Sequence, residues 1–509
     1  MCRRCAATRW FSILLLLAAA MSASTARSAE EAKNVILMVC DGAGFNAWQA
    51  TSYYQHGRLA CEPYDRFSVH YACTTYMLNY VDRQGEALYA GTGKTPRNAV
   101  GTQPQQYDVQ RMWRDFGYAK GGNNYTRFTD SAAAATGLLT GTKTTRGRIA
   151  VNWNGKEELT TIAEVADALK KSTGTISSVQ VSHATPGTVW AHDPSRGNYE
   201  AIFKEMLYDS GLDVIMGAGH PFFGNGQPAN GEPENTPSSA YYRYVGGRDT
   251  WNDLTDEDGA EGFDFIEQKP HFEDLARGSG PGEEPLPQRV VGIAQVLETL
   301  QMKRDGRRMD SEDPKNDHVP TLSTMTEAAL HVLNQNPEGF FLMVEGGAVD
   351  WANHSNNLER MIEELVAFGD AVQAVFDWVG ANSSWDETLL IVTSDHECGM
   401  LWGQATFVDR NNNRHFDAGI DFFRGWQPIE NRGKGRLPGH QYGSGGHTNT
   451  LVPLWAIGAG SQRFQARVDG TDPVAAQRWG FSGKYVDNTS VFAVMKGAMD
   501  PATPSSPPR

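Results

Sequence analysis

Four stretches of near-continuous apolar residues break off at side chains that carry charge or ligate metals. "NVILMVCDGAG" runs from Asn34 into Asp41, and "GTISSVQVSHATPG" runs into His183 and Thr185. "GFFLMVEGGAVD" runs into Glu345 and Asp350, and "TLLIVTSDHECG" into Asp395 and His396. Val, Ile and Leu without alternation are what strands covered on both faces look like. Between these runs, residues 159–173 and 356–379 place apolar side chains at helical spacing. Strand followed by helix, repeated, predicts an α/β fold: a mostly parallel central sheet with helices on both faces. Ligands of such sheets sit outside the carboxyl ends of the strands, and here those ends carry Asp, Glu and His.

One acid at a strand end is ordinarily solvated or bonded to loop amides. Several that converge need something to neutralise them, and a pair of divalent cations would do it. Zinc takes imidazole and carboxylate, whereas magnesium takes carboxylate, hydroxyl and water. Asp350 and His354, in "DWANH", are four residues apart, which puts both on one face if a helix starts there. Asp395 and His396 are adjacent, so both reach one site only if the chain turns sharply after the strand. His447 lies in "GSGGHTNTLVPLWAIG", a glycine-rich loop feeding another apolar strand, where a lone His is otherwise structural.

"FTDSAAAATG" (128–137) sets Asp130 and Ser131 ahead of four alanines, the best helix formers. Ser and Asp are ordinary N-cap residues, yet a helix N-terminus also attracts anions. From this window Ser131 either caps the helix or attacks a bound anion. Arg196, in "HDPSRGNY", is likewise either a surface ion pair or a planar fork holding two oxygens of a phosphate.

The 509-residue chain is 40% hydrophobic and 21% charged with a net charge of −15, which gives a sizeable core and argues against nucleic acid as a partner. Arg3, Arg4 and Arg9 precede an apolar run from Trp10 to Met21 and then small residues, the layout of a secretory leader over residues 1–29, with cleavage between Ser24 and Ala29. The run is shorter than the roughly 20 residues of a membrane span, and no later segment is long enough to be one. An exported, soluble protein, periplasmic or secreted, is expected. Cys40, Cys61, Cys73 and Cys398 remain after the leader and contain no CxxC pair, so a cysteine-built zinc site is not expected. In an oxidising compartment Cys61 and Cys73 are the expected disulfide, and Cys40, ending an apolar run, a buried thiol.

Residues 30–498 read as one catalytic domain with insertions at about 80–125, 220–290 and 401–446, long enough to form lid or crown regions, followed by a disordered tail over 499–509. Within the last insertion, "DRNNNRHFDAGID" (409–421) alternates Asp409, Asn411, Asn413 and Asp417 like part of a calcium loop. It lacks the loop glycine and has Ile420 at the twelfth position, so an Asx-rich turn is the competing reading.

Taken together, "DGAG", "TDSAAAAT", "HATP", "SRGNY", "VEGGAVDWANH", "TSDHECG" and "GGHTN" follow one another in the order found in alkaline phosphatases, from about Asn34 to about Leu454. The chain resembles that family. The resemblance implies hydrolysis of phosphate monoesters, with Ser131 the nucleophile that becomes a phosphoserine and Asp130 bracing the phosphate-binding Arg196. It implies one zinc at Asp350, His354 and His447, and a second at Asp41, Asp395 and His396. Magnesium would sit at Asp41, Thr185 and Glu345. A homodimer is the family's usual assembly.

Two positions vary within the family. His183 stands where some members have an acid near the magnesium waters, which implies weaker magnesium retention or a water-mediated phosphate contact. Trp351 stands where others have Lys or His near the phosphate, which implies looser product phosphate. The competing readings are a phosphodiesterase or pyrophosphatase of the same superfamily, or a catalytically silent metal- or phosphate-binding protein. Ser131 together with Arg196 favours monoesters.

Overall fold

The first apolar run is the strand about which the others are arranged. β1 (Asn34–Cys40) is buried along its whole length. The structure, a computed structural model, describes residues 30–500 except 85, 89–94, 105, 115–127, 227–240, 257–258, 310–311 and 418. The leader read over 1–29 and the tail from 501 onward lie outside the described residues.

Eleven strands form the main sheet. In chain order they are β1, β2 (Val69–Thr74), β3 (Ser172–Gln180), β4 (Val214–Ala218), β5 (Asp264–Ile266) and β6 (Val290–Ile293). β7 (Phe340–Gly346), β8 (Thr388–Thr393), β9 (Val452–Gly458), β10 (Gly470–Thr471) and β11 (Lys484–Asp487) follow. Their spatial order is β10-β11-β2-β9-β8-β1-β7-β3-β4-β6-β5. β1 runs parallel to both β7 and β8, β7 runs parallel to β3, and β9 returns antiparallel beside β8.

Both faces are covered, as the unbroken apolar runs require. Ile36, Met38 and Cys40 pack into one core and Val35, Leu37 and Val39 into the other. The five helices that matter below are α1 (Ser131–Thr140), α2 (Ile162–Ala168), α3 (Ala348–His354), α4 (Leu358–Asn382) and α5 (Thr489–Met499). α4 serves the first core, whereas α1, α2 and α5 serve the second.

Register carries the polar strand ends to one level. Val39 lies opposite both Glu345 and Thr393, and Glu345 lies opposite Ser177. Asp41 and Asp395, each two residues further on, therefore emerge at one level, with Glu345 two residues beneath them.

Several expectations need correction. The helix read over 159–173 is only α2, because Lys170 turns at φ 61° and Ser172 already belongs to β3. Pairing with β7 outweighs helical spacing there. Within the insertion read over 220–290, the described residues include helices Arg248–Thr255 and Lys269–Ala276 and the edge strand β5. Met499, the first residue of the expected tail, is instead the last residue of α5. Cys61 and Cys73 are both free thiols. Cys73 is sealed within β2, whereas the Cys61 sulfur accepts the Arg58 Nε–H at a half-buried position. Cys40 is buried as expected, and burial pushes its thiol pKa up. Among the described residues no helix is long and apolar enough to cross a membrane.

Convergence at the strand ends depends on Gly42. Its φ of 73° turns the chain after Asp41, and a Cβ there would lie 2.7 Å from the Asp350 Cα. Gly42→Ala combines left-handed strain with this backbone overlap. It should cost about 3 kcal/mol, read as a lower thermal unfolding temperature.

Candidate active site

α1 begins where the chain enters the site. Asp130 rather than Ser131 is its N-cap: its Oδ1 accepts the amides of Ala133 at 3.2 Å and Gly147 at 3.0 Å. The Ser131 hydroxyl is thereby released from capping, the first of the two readings open in the sequence. It is buried at the first helical position, 3.3 Å from His396 Nε2. The alanines behind it fit the close packing of α1 into the second core.

The other oxygen of Asp130 accepts Arg196 Nη1 at 3.1 Å. Burial alone would raise the Asp130 pKa, but Arg196, Arg146 and the two amide bonds hold the carboxyl below its ordinary range. Arg196 is thus an anchored cation beside a helix N-terminus, a combination suited to a phosphate dianion.

The residues at the strand ends form two clusters. On α3, one helical turn brings His354 Nε2 within 3.2 Å of Asp350 Oδ2. His447 Nε2 lies 3.4 Å from Asp350 Oδ1 and 3.1 Å from His354 Nε2. Both rings are aimed by their Nδ1 atoms, which reach carbonyls of Gly445 and Thr129 at 2.7 Å each. Metal bonds near 2.1 Å place tetrahedral ligand atoms about 3.4 Å apart, the spacing seen here.

The second cluster centres on His396. Its Nε2 lies 3.4 Å from Asp41 Oδ1 and 3.2 Å from Asp395 Oδ2. The sharp turn that two adjacent ligands require is pinned by Asp395 Oδ1, which accepts the Gly42 and His396 amides. Beneath it Glu345 accepts the Ser177 hydroxyl, and Thr185 is fully buried.

This concentration of acids is unfavourable by itself. Burial and mutual repulsion push Asp395 up to about 8, and burial takes Glu345 to about 7 and raises Asp41 as well. Asp350 is the exception: burial would raise it, but His354 and His447 hold it well below the usual range. Both Asp41 oxygens, Glu345 Oε1, Asp350 Oδ1 and Asp395 Oδ2 are buried without a hydrogen-bond partner. Oxygens in that state fit cations.

His183 Nε2 lies 3.5 Å from Arg196 Nη2, and its ring centroid lies 5.8 Å from that of Trp351. Burial, with Arg196 beside it, lowers His183 to about 3, so the imidazole is neutral. Ser131, Arg196, His183, Trp351, Asp350 and both cluster histidines His354 and His447 line one cavity of about 680 Å³. Of the calcium-loop residues, Asp409 accepts the Asn413 and Arg414 amides, while Asn411 and Asn413 donate to Asp417. Asn413 Oδ1 also accepts the His415 amide two residues on, which is an Asx turn within the loop.

Sequence reasoning missed four residues. Cys398 lies among Asp350, His354 and His447 because its short strand pairs with His447; its place two residues after His396 was the available signal. Ser177 points at Glu345 from β3. Arg146 and Lys303 line the cavity from loops, where no local pattern marks them.

The double role of Asp130 can be separated. Asp130→Asn keeps a good N-cap and Asp130→Ala does not, so the Ala variant should be the less stable of the two by about 1 kcal/mol. Both should weaken inorganic phosphate binding measured by calorimetry, because Arg196 loses its anchor in each.

The sequence pattern of the family described as Alkaline phosphatase matches residues 98–419. Alkaline phosphatase 4 of Bacillus subtilis is 31% identical over 276 residues, which are 53% of this chain and 50% of that protein. The alkaline phosphatase of Escherichia coli is 30% identical over 290 residues, 53% of this chain and 58% of that one. The chain thus matches about half the length of these curated relatives. In overall fold it resembles the alkaline phosphatase of the Antarctic bacterium TAB5, with a TM-score of 0.55 at 20% identity over 92% of this chain and 98% of that one. The Thermus thermophilus alkaline phosphatase gives 0.56 at 19% identity, over 96% and 95% of the two chains. With a family pattern spanning more than half its residues, the chain belongs to the alkaline phosphatase family.

Proposed function

We propose that the chain hydrolyses phosphate monoesters through a phosphoserine formed on Ser131. The observation that carries this reading is the Ser131 hydroxyl, free of capping and 3.3 Å from His396, at a helix start that also holds the Asp130–Arg196 pair. Asp350, His354 and His447 would hold one zinc ion, and Asp41, Asp395 and His396 a second. Asp41, Thr185 and Glu345 would hold magnesium. Their unpartnered oxygens and ligand spacings fit such ions. Bound there, the ions supply Lewis acidity and lower the pKa of a neighbouring hydroxyl or water.

Ser131 Oγ attacks phosphorus, forming the serine ester as the bond to the leaving alcohol breaks. The Arg196 fork and the first amides of α1 hold the oxygens on which charge redistributes. Asp130 fixes the fork in place. A water then breaks the Ser131–phosphorus bond and releases phosphate. Neutral His183 and the Trp351 indole form the wall beside Arg196, where a water-mediated phosphate contact suits the imidazole. The leader read at residues 1–29 supports an exported site of action, periplasmic or secreted.

A chromogenic phosphate monoester, tested beside its diester and sulfate counterparts, decides the reading. The monoester should be turned over strongly, activity should vanish with a chelator and return with zinc and magnesium, and Ser131→Ala should lose about 10³-fold or more. Faster turnover of the diester would move the chain to the phosphodiesterase reading. Phosphate binding without any turnover would make it a binding protein.

Metal loading should also be visible without turnover. Asp395 and Glu345, raised to about 8 and about 7, hold protons in the ion-free protein below those values. Zinc and magnesium binding must expel these protons. Calorimetry in buffers of different ionisation enthalpy should show greater proton release near pH 6.5 than near pH 9, because at the higher pH both carboxyls are already ionised.

A further inference from the structure

The cavity is larger than one phosphoryl group needs. At about 680 Å³ it falls within the range of roughly 300–1,000 Å³ that takes a whole small molecule. Its lining includes Asp130, Ser131 and Arg196, placed around the reacting phosphate, and the further cations Lys303 and Arg146.

Lys303 is presented by a fixed backbone. Its amide donates to Thr299 Oγ1 at 2.8 Å. The adjacent Arg304 is buried, with its guanidinium bonded to the carbonyls of Gln301, Asp313 and Pro314 and paired with Glu363 at 2.9 Å. Met302, on the other side, is buried too. The Lys303 side chain is exposed, and its Nζ sits 5.2 Å from the centroid of the Trp351 ring. Among the described residues it makes no ion pair.

Lys303, Trp351, His183 and Arg196 form a continuous wall. The indole separates the lysine from the imidazole, and the imidazole touches the arginine. The ammonium therefore stands one side chain further from Ser131 than the groups around the transferred phosphoryl. Arg146, close enough to Asp130 and His354 to shift both, adds positive charge to the same cavity. The acid at the rim, Asp417, accepts hydrogen bonds from Asn411 and Asn413. A cation here faces the leaving part of a substrate rather than the phosphorus under attack.

We propose that Lys303 is a specificity residue for a second anionic group carried by the leaving part of the substrate. Phosphate esters bearing a further phosphoryl or carboxylate are then preferred over those with a neutral leaving group. The inference rests on the monoesterase reading above and names its substrate class. It also places a cation beside Trp351, where sequence comparison within the family implied the loss of one.

The test is calorimetric binding to the metal-loaded full chain carrying Ser131→Ala. The probes are phenyl phosphate and 1,4-phenylene bisphosphate, which differ only in the second phosphoryl group. The bisphosphate should bind about ten-fold more tightly, a preference that declines with added salt. Adding Lys303→Met should bring the ratio of the two affinities close to one, and Lys303→Arg should restore it. A ratio near one with Lys303 in place, or a ratio that survives Lys303→Met, overturns the proposal. Failure to bind phenyl phosphate at all would instead overturn the monoesterase reading on which it stands.

Discussion

Four buried carboxyls, Asp41, Glu345, Asp350 and Asp395, share one small volume at the ends of the central strands. Among the described residues nothing else concentrates so much unpaired polarity, and much of the surrounding architecture serves to hold it. Strand register brings Asp41 and Asp395 to one level with Glu345 two residues beneath, α3 adds the fourth, and the left-handed turn at Gly42 lets the two segments meet. Folding assembles the cluster at a cost that hydrophobic burial in the two cores must offset. The same repulsion is a store of affinity for cations, since each ion that enters relieves it.

The start of α1 answers a second electrostatic need with fewer parts. A helix N-terminus offers amides to an anion, but a serine that caps its own helix spends its oxygen on those amides. Placing the cap one residue earlier, on Asp130, leaves the Ser131 oxygen uncommitted. The same carboxylate orients Arg196 through its second oxygen. A single acid thus sets the helix start, the position of the hydroxyl and the direction of the guanidinium.

Much of this was legible in the sequence because it depends on local pattern. The four apolar runs became adjacent strands, and the i, i+4 spacing of Asp350 and His354 became one face of α3. Distant contacts were less accessible. The C-terminal part of 159–173 has helical spacing, yet the edge of β7 captures it as strand. Cys61 and Cys73 are close in the chain, but one lies inside the sheet and the other does not. Arg146 and Lys303 reach the cavity through loop paths that periodicity does not encode, and Cys398 joins Asp350, His354 and His447 through a two-residue strand pair.

The antiparallel direction of β9 has a consequence for how the two ligand clusters are built. Asp41 and Asp395 follow directly from strands leaving the sheet, with His396 beside Asp395. His447 instead precedes a strand that enters it, on a glycine-rich loop, and its partner His354 has a side chain 41% exposed. One half of the site is therefore set by the sheet itself, while the other closes only when the segment before β9 settles against α3. Such a centre has a rigid half and a seated half. Local opening of that segment would give solvent a route to His447 and its neighbours while the sheet beneath remains folded.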